Sequence, residues 1–290
     1  MFFLSLYEIK VKMYKKISLL LVTLLVTLFS FGQKKEKIKG SKIVTVAVKE
    51  LNNFENIEVN DNFEVFLVKG TKSSIEIEAD DNLHEIINFE VSGNTLKINA
   101  VKEPTGFKKF AIRINYSNDL QLVTARNNVE IKALAEIELD KITIKNYNNS
   151  KSFLNVKSNY FALILDDKSE AEINVKAEST SFELSKNSEL KALVTSPELK
   201  LDMYQKSTAT IEGTITNAKM RLDNNSHLNA PKLAIGTLEV DTDNYAKCEI
   251  NVSSAVTIAA GGKSQIELWG EQKITIKKFT NSATLYKKDK

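Results

Sequence analysis

Asp202, Arg221 and Asp241 follow one another at spacings of 19 and 20 residues. An arginine between two carboxylates is the set a polysaccharide lyase needs, with a base to take a proton and a cation to steady the enolate. The same set reads as a surface ion-pair ladder where opposite charges alternate, and the alternation here favours the ladder. Asp223 and Asp243 form a second pair. Two carboxylates ~5 to 9.5 Å apart could hydrolyse a glycosidic bond, yet a chain with 37 acidic residues aligns two of them by chance. Trp269, the only tryptophan, stands beside Gly270, where its ring could stack on a sugar or close the end of a core.

Other chemistries find less support. His84 and His227 are the only histidines and neither has a second histidine at ligand spacing, so no metal site is expected. Cys248 is the single cysteine, which excludes an intramolecular disulfide. No Gly-rich phosphate loop or nucleophile elbow is present, and no cofactor is expected.

The positioning of these residues follows from a repeat. Ser150, Ser169, Ser188, Ser207, Ser226, Ala246, Ser264 and Ser282 recur at 18 to 20 residues, each in a polar turn flanked by alternating apolar residues. Six residues before each marker stand Ile144, Leu163, Phe182, Leu201, Met220, Val240, Ile258 and Ile276. Two residues after it stand Ser152, Ala171, Leu190, Ala209, Leu228, Cys248, Ile266 and Thr284, and the fourth position ends on Tyr286. Strand side chains alternate with period two, so these columns face inward and Cys248 is a small buried hydrophobe. A meander reverses at every turn and would not hold one residue class at one offset. The expected fold is therefore all-β, a single-stranded parallel β-helix with coils of about 19 residues. Right-handed coils are the chiral default. Asparagines in the turns suit left-handed backbone and read first as ordinary turn residues, with a stacked amide ladder as the alternative.

Residues 41–118 alternate too, with turn signals at Gly70, Gly93 and Gly106, but without a fixed period. They are expected as irregular strands, with Asp81–Ile87 either a short helix or a loop with an Asx turn, and the regular coils are expected to run over 119–290. Residues 34–40 read as a charged tether. Residues 1–33 read as a leader: a basic stretch at Lys15–Lys16, an apolar run and small residues at Ser30–Gly32, with Met13 the better start. Without the leader, 36 basic and 36 acidic side chains remain, so the net charge of +3 belongs to the leader. A balanced chain has no electrostatic footprint for nucleic acid.

The leader, followed by Gly40-Ser41-Lys42-Ile43-Val44, Phe54-Glu55-Asn56-Ile57-Glu58-Val59, Ile75-Glu76-Ile77 and Asn94-Thr95-Leu96-Lys97-Ile98, resembles the auto-transporter adhesin head GIN domain family of Bacteroidetes envelope proteins. The resemblance covers residues 40–290 and implies an exported β-helical protein with no catalytic residues to carry over. The leading expectation is a non-enzymatic envelope module, periplasmic rather than external, that binds a glycan or protein. A carbohydrate-active enzyme using Asp202, Asp223, Asp241 or Asp243 is the alternative, and a structural part of an envelope assembly a third. No membrane span is expected in the mature chain.

Overall fold

The computed structural model describes Lys16 and residues 35–289. Two compact units, Met1–Glu36 and Lys37–Lys290, divide the chain, and the fold described below is that of the second. Residues 1–33, read from the sequence as a leader, lie outside the described residues apart from Lys16.

Alternating residues make strands, and a chain that returns every nineteen residues stacks those strands in parallel. Lys151–Leu165, Glu170–Leu184, Glu189–Met203, Thr208–Leu222 and His227–Thr242 each form one continuous strand that bends round most of a coil. The result is a β-solenoid of about 9 turns. The apolar file runs unbroken from Ile144 through Leu163, Phe182, Leu201, Met220, Val240 and Ile258 to Ile276. All of its members except Ile276 are buried, and Phe161 meets Phe182 edge-on at 6.3 Å between ring centres. Cys248 lies in the inward file between Leu228 and Ile266. Burial pushes its thiol up to about 12, with the Glu249 charge adding to the shift, so the thiol is inert.

A four-residue turn closes each coil. The marker N–H donates to the carbonyl three residues earlier, as from Ser207 to Tyr204 at 3.2 Å and from Ser226 to Asp223 at 3.3 Å. The two residues between are both left-handed in successive turns from Asn127–Asn128 to Asn224–Asn225. Asparagine adopts this backbone readily, whereas Lys186, Gln205 and Lys206 lose ~1–2 kcal/mol each. Hydrogen bonds between coils offset that loss: Lys168 donates to the Lys186 carbonyl, Asn187 to Gln205 and Lys206 to Asn224, all at 3.0 Å. The asparagines thus serve as turn residues joined by a backbone ladder, supplemented by Asn148 Nδ2 donating to Asp167 at 3.0 Å.

The marker serines do not face the polar turn. Ser150, Ser169, Ser188, Ser207 and Ser226 are buried, because period two sets them on the same side as the inward columns two and four residues later. Ala246 fills the same place, so small volume rather than a hydroxyl is what this position selects.

The last coil breaks register. Ile258 pairs with Ile276, but Ala259 pairs with Lys278, which leaves Lys277 as an extra, bulged residue. The final marker is consequently Ala283, whose N–H donates to Thr280, and Leu285 continues the Ile266 file in place of Thr284. Tyr286 is exposed, not inward as expected.

Parallel stacking also starts earlier than residue 119. Leu96 pairs with Ile57 and Ile57 with Val123, while Ile112 pairs with Val65 and Val65 with Ile131. A coil of Asn56–Asn60 and Glu64–Lys69 therefore lies between one of Thr95–Ala100 with Phe110–Tyr116 and one of Leu122–Arg126 with Glu130–Ala133. Chain order and stacking order differ here, so no constant spacing marks these coils. Antiparallel neighbours finish this end: Ile87–Ser92 on Thr95–Ala100, and Ser74–Asp80 between Phe110–Tyr116 and Val44–Glu50. The short helix is a 3-10 helix over Asp81–Ile86 that buries Leu83 and Ile86. The expected tether is partly a strand, since Lys37–Lys39 pairs with Glu103–Thr105 and Ile38 packs on the core.

Asp80 ties this end together from a fully buried position. Its carboxylate accepts from the backbone N–H groups of Lys42 at 2.8 Å and of Lys108 and Lys109 at 3.0 Å. Burial alone would raise this carboxyl, but the N–H groups of Lys109, Lys42 and Lys108 outweigh it and hold it below the usual aspartate range. A depressed folded value contributes stability that is full above the unfolded value near pH ~4 and lost as pH falls through the folded one. Asp80→Asn removes that dependence. It is expected to open Gly40–Lys42 and Phe107–Lys109 at neutral pH, read as faster amide exchange there with residues 150–260 unchanged.

Candidate functional site

The coil register places Asp202, Arg221 and Asp241 on adjacent strands, facing outward. They do not form the alternating ion-pair ladder. Asp202 pairs with Lys200 on its own strand at 2.8 Å, and the Arg221 guanidinium lies 5.6 Å from the centre of the Tyr204 ring. Among the described residues no ion pair joins Arg221 to either aspartate. Ion pairs between coils occur on other columns, as Lys151–Glu170 at 2.7 Å and Lys191–Glu172 at 3.1 Å. Exposed pairs of this kind contribute ~0.2–1 kcal/mol each.

Asp223 and Asp243 stand at the first position of successive turns, where each carboxylate caps its own turn. Asp223 Oδ1 accepts from the Asn224 N–H at 2.7 Å and from the Asn244 side-chain amide at 2.6 Å. Asp243 Oδ1 accepts from the Asn244 N–H at 2.7 Å, and a Cβ on Gly262 would come within 2.8 Å of it. Asp166, at the same turn position, accepts from the Ser185 hydroxyl at 2.6 Å and from Lys186 at 2.9 Å. Burial would raise the Asp166 carboxyl, and these two partners hold it down. The arrangement suits turn stabilisation, because every one of these carboxylates is already an engaged acceptor.

Trp269 lies in an outward file beside Asn251 and is half-buried. Lys288 Nζ sits 5.9 Å from the centre of its ring and pairs with Glu267 at 3.0 Å, so one face of the indole is occupied. His227 Nε2 contacts Glu249 at 3.2 Å and His84 Nε2 contacts the Thr45 hydroxyl at 2.9 Å. No group of three metal-ligating side chains occurs among the described residues.

A different surface is open to a ligand. An open groove of ≈ 750 Å³ runs across the coils, lined by Leu134, Phe153, Asn155, Asn174, Leu193 and neighbouring charged residues. Its floor is one outward file, Asn155–Asn174–Leu193–Glu212, with Leu134 at the near end. Phe153, Glu172 and Lys191 form its wall, one column away. Leu134 and Leu193 are 61% and 49% exposed, and the amides of Asn155 and Asn174 between them make no hydrogen bond among the described residues. The two leucines are three coils apart, about 14 Å at ~4.8 Å per coil. The sequence carried a signal for this site: Leu193 is apolar at an outward parity, where its strand neighbours Lys191 and Thr195 are polar.

Closed coils around a largely apolar core, carrying outward ladders and an open groove, define a β-solenoid. The chain belongs to the family described as putative auto-transporter adhesin, head GIN domain, whose model matches residues 53–271. No curated protein matches it. Among solved structures, a putative adhesin from Parabacteroides merdae ATCC 43184 superimposes with a TM-score of 0.61 at 17% identity, covering 87% of this chain and 98% of that one. A putative adhesin from Parabacteroides distasonis ATCC 8503 gives 0.62 at 19%, covering 87% and 100%. A putative lipid binding protein from the same organism gives 0.60 at 12%, covering 87% and 99%. These likenesses show the fold. No helix among the described residues is long and apolar enough to cross a membrane.

Proposed function

We propose that this protein is an exported, non-catalytic module of the cell envelope that binds a glycan along the groove between Leu134 and Leu193. The observation that carries the reading is the pairing of two uncommitted side-chain amides, Asn155 and Asn174, with exposed apolar surface at both ends. Amides donate to and accept from sugar hydroxyls, and the leucines and Phe153 suit the apolar faces of the rings. The engagement of Asp202, Asp223 and Asp243 by turns and lysines supports the absence of catalysis. An acyl chain, which the name of the putative lipid binding protein with a similar fold would suggest, fits less well in an open groove with polar groups along its middle.

Retention of the purified protein on a glycan array tests this. Asn155→Ala with Asn174→Ala is expected to weaken retention by roughly 5- to 150-fold, since two hydrogen bonds at ~0.5–1.5 kcal/mol each are lost. Retention on no glycan, or retention indifferent to both changes, sinks the proposal. So does polysaccharide turnover that disappears in Asp223→Asn or Asp243→Asn.

A further inference from the structure

The stack is closed at one end and open at the other. Towards the N-terminus its inward files finish on Leu96, Ile98 and Ala100, none more than 1% exposed. The antiparallel strand Ile87–Ser92 bounds that coil, and Leu83 and Ile86 of the 3-10 helix join the same core. Towards the C-terminus the corresponding files finish on Ile274, Ile276 and Phe279, which are 38%, 53% and 41% exposed. One coil earlier Val256, Ile258 and Ala260 are at most 1% exposed. The strand Lys273–Phe279 pairs with Lys247–Ala260 along one edge, and among the described residues no strand pairs with its other edge. An unpaired edge above an exposed apolar layer is a template for strand addition.

The sequence of that edge names its partner. Lys273-Ile274-Thr275-Ile276-Lys277 reads identically in both directions. Antiparallel pairing about Thr275 therefore sets Ile274 against Ile276 of a second copy on the core side, and Thr275 against Thr275 on the outer side. Such self-matching is what a two-fold interface requires. A head-to-tail contact lacks it, because the N-terminal files are closed. We propose that two copies of this chain join end to end through Lys273–Phe279, fusing their apolar files into one core. The pairing also sets Lys273 against Lys277 of the second copy. Lys277 is held by Glu239 at 3.1 Å, which removes part of that repulsion, and added salt screens the rest. The dimer is accordingly expected to tighten as ionic strength rises.

Sedimentation across a concentration series reads the association directly. The unaltered protein is expected to reach twice the monomer mass, and Ile276→Lys, at a half-exposed position that tolerates the charge, to weaken association about a hundredfold while leaving the far-ultraviolet dichroism unchanged. Thr275→Cys places a thiol on the two-fold axis. Because Cys248 is buried, mild oxidation should link this variant into a disulfide dimer, and the exposed control Thr208→Cys should link far more slowly. A protein that stays monomeric at every concentration and salt, or a Thr275→Cys variant no faster to cross-link than the control, overturns the proposal.

Discussion

Leu201→Asp is expected to abolish the cooperative unfolding transition. Leu201 is fully buried and stacked between Phe182 and Met220 in the central file. Removing the leucine from such a place typically destabilises by ~2–5 kcal/mol. An unpaired carboxylate in an apolar file adds several more, or draws in water that parts the coils. The sum, at least ~5 kcal/mol, is comparable with the whole stability of a domain. In a stack where each coil contacts only its neighbours, the break separates Ser150–Met203 from the coils that follow. Thermal melts followed by circular dichroism should show the loss. Asp202→Ala, one residue along and facing water, is expected to change stability by less than ~1 kcal/mol. The reverse result, a folded Leu201→Asp and an unfolded Asp202→Ala, would falsify the inward and outward assignment.

Gly213→Ala is expected to be strongly destabilising for the addition of a single methyl group. Gly213 has φ +122°, and a Cβ there would stand 2.0 Å from the Val194 carbonyl oxygen. That backbone region is essentially closed to other residues at ~1–3 kcal/mol, and the clash is with main chain of the adjacent coil, which moves only if the stack spreads. A destabilisation above ~3 kcal/mol by urea unfolding is the expected outcome. Gly93→Ala is the comparison. Gly93 is left-handed at φ +57° with nothing within 4 Å of the added carbon, so it should lose only the ~1–2 kcal/mol of the backbone strain. Equal effects at the two sites would show that contact between coils does not set the requirement at Gly213.

The Phe182–Leu201 file was legible in the sequence because it needs only a constant interval, and the residues that answer to it are large and apolar. The same logic hid the coils before residue 119. There the chain builds Asn56–Lys69 first, then the coil on its far side, then crosses to the next, so spatial neighbours lie at unequal sequence distances. The register slip at Lys277 was invisible for another reason: a bulge inserts one residue without changing residue types. Asp80 gave no signal because its partners are backbone N–H groups, which any sequence supplies. For the candidate site the sequence pointed to charge, at Asp202, Arg221, Asp223, Asp241 and Asp243, and to Trp269. The structure gives several of these groups local duties and leaves the uncommitted polar surface at Asn155 and Asn174, which looked like ordinary outward residues.

The bonds between coils all run along the stacking direction, from Lys168 to Lys186 and onward through each turn. Tension applied between the two ends of such a rod meets these bonds one layer at a time, in the manner of a zip, rather than shearing many together. Each layer that lets go exchanges ~4.8 Å of height for about 60 Å of slack chain. A stack built this way yields in instalments, coil by coil, and lengthens many-fold before the last layers part.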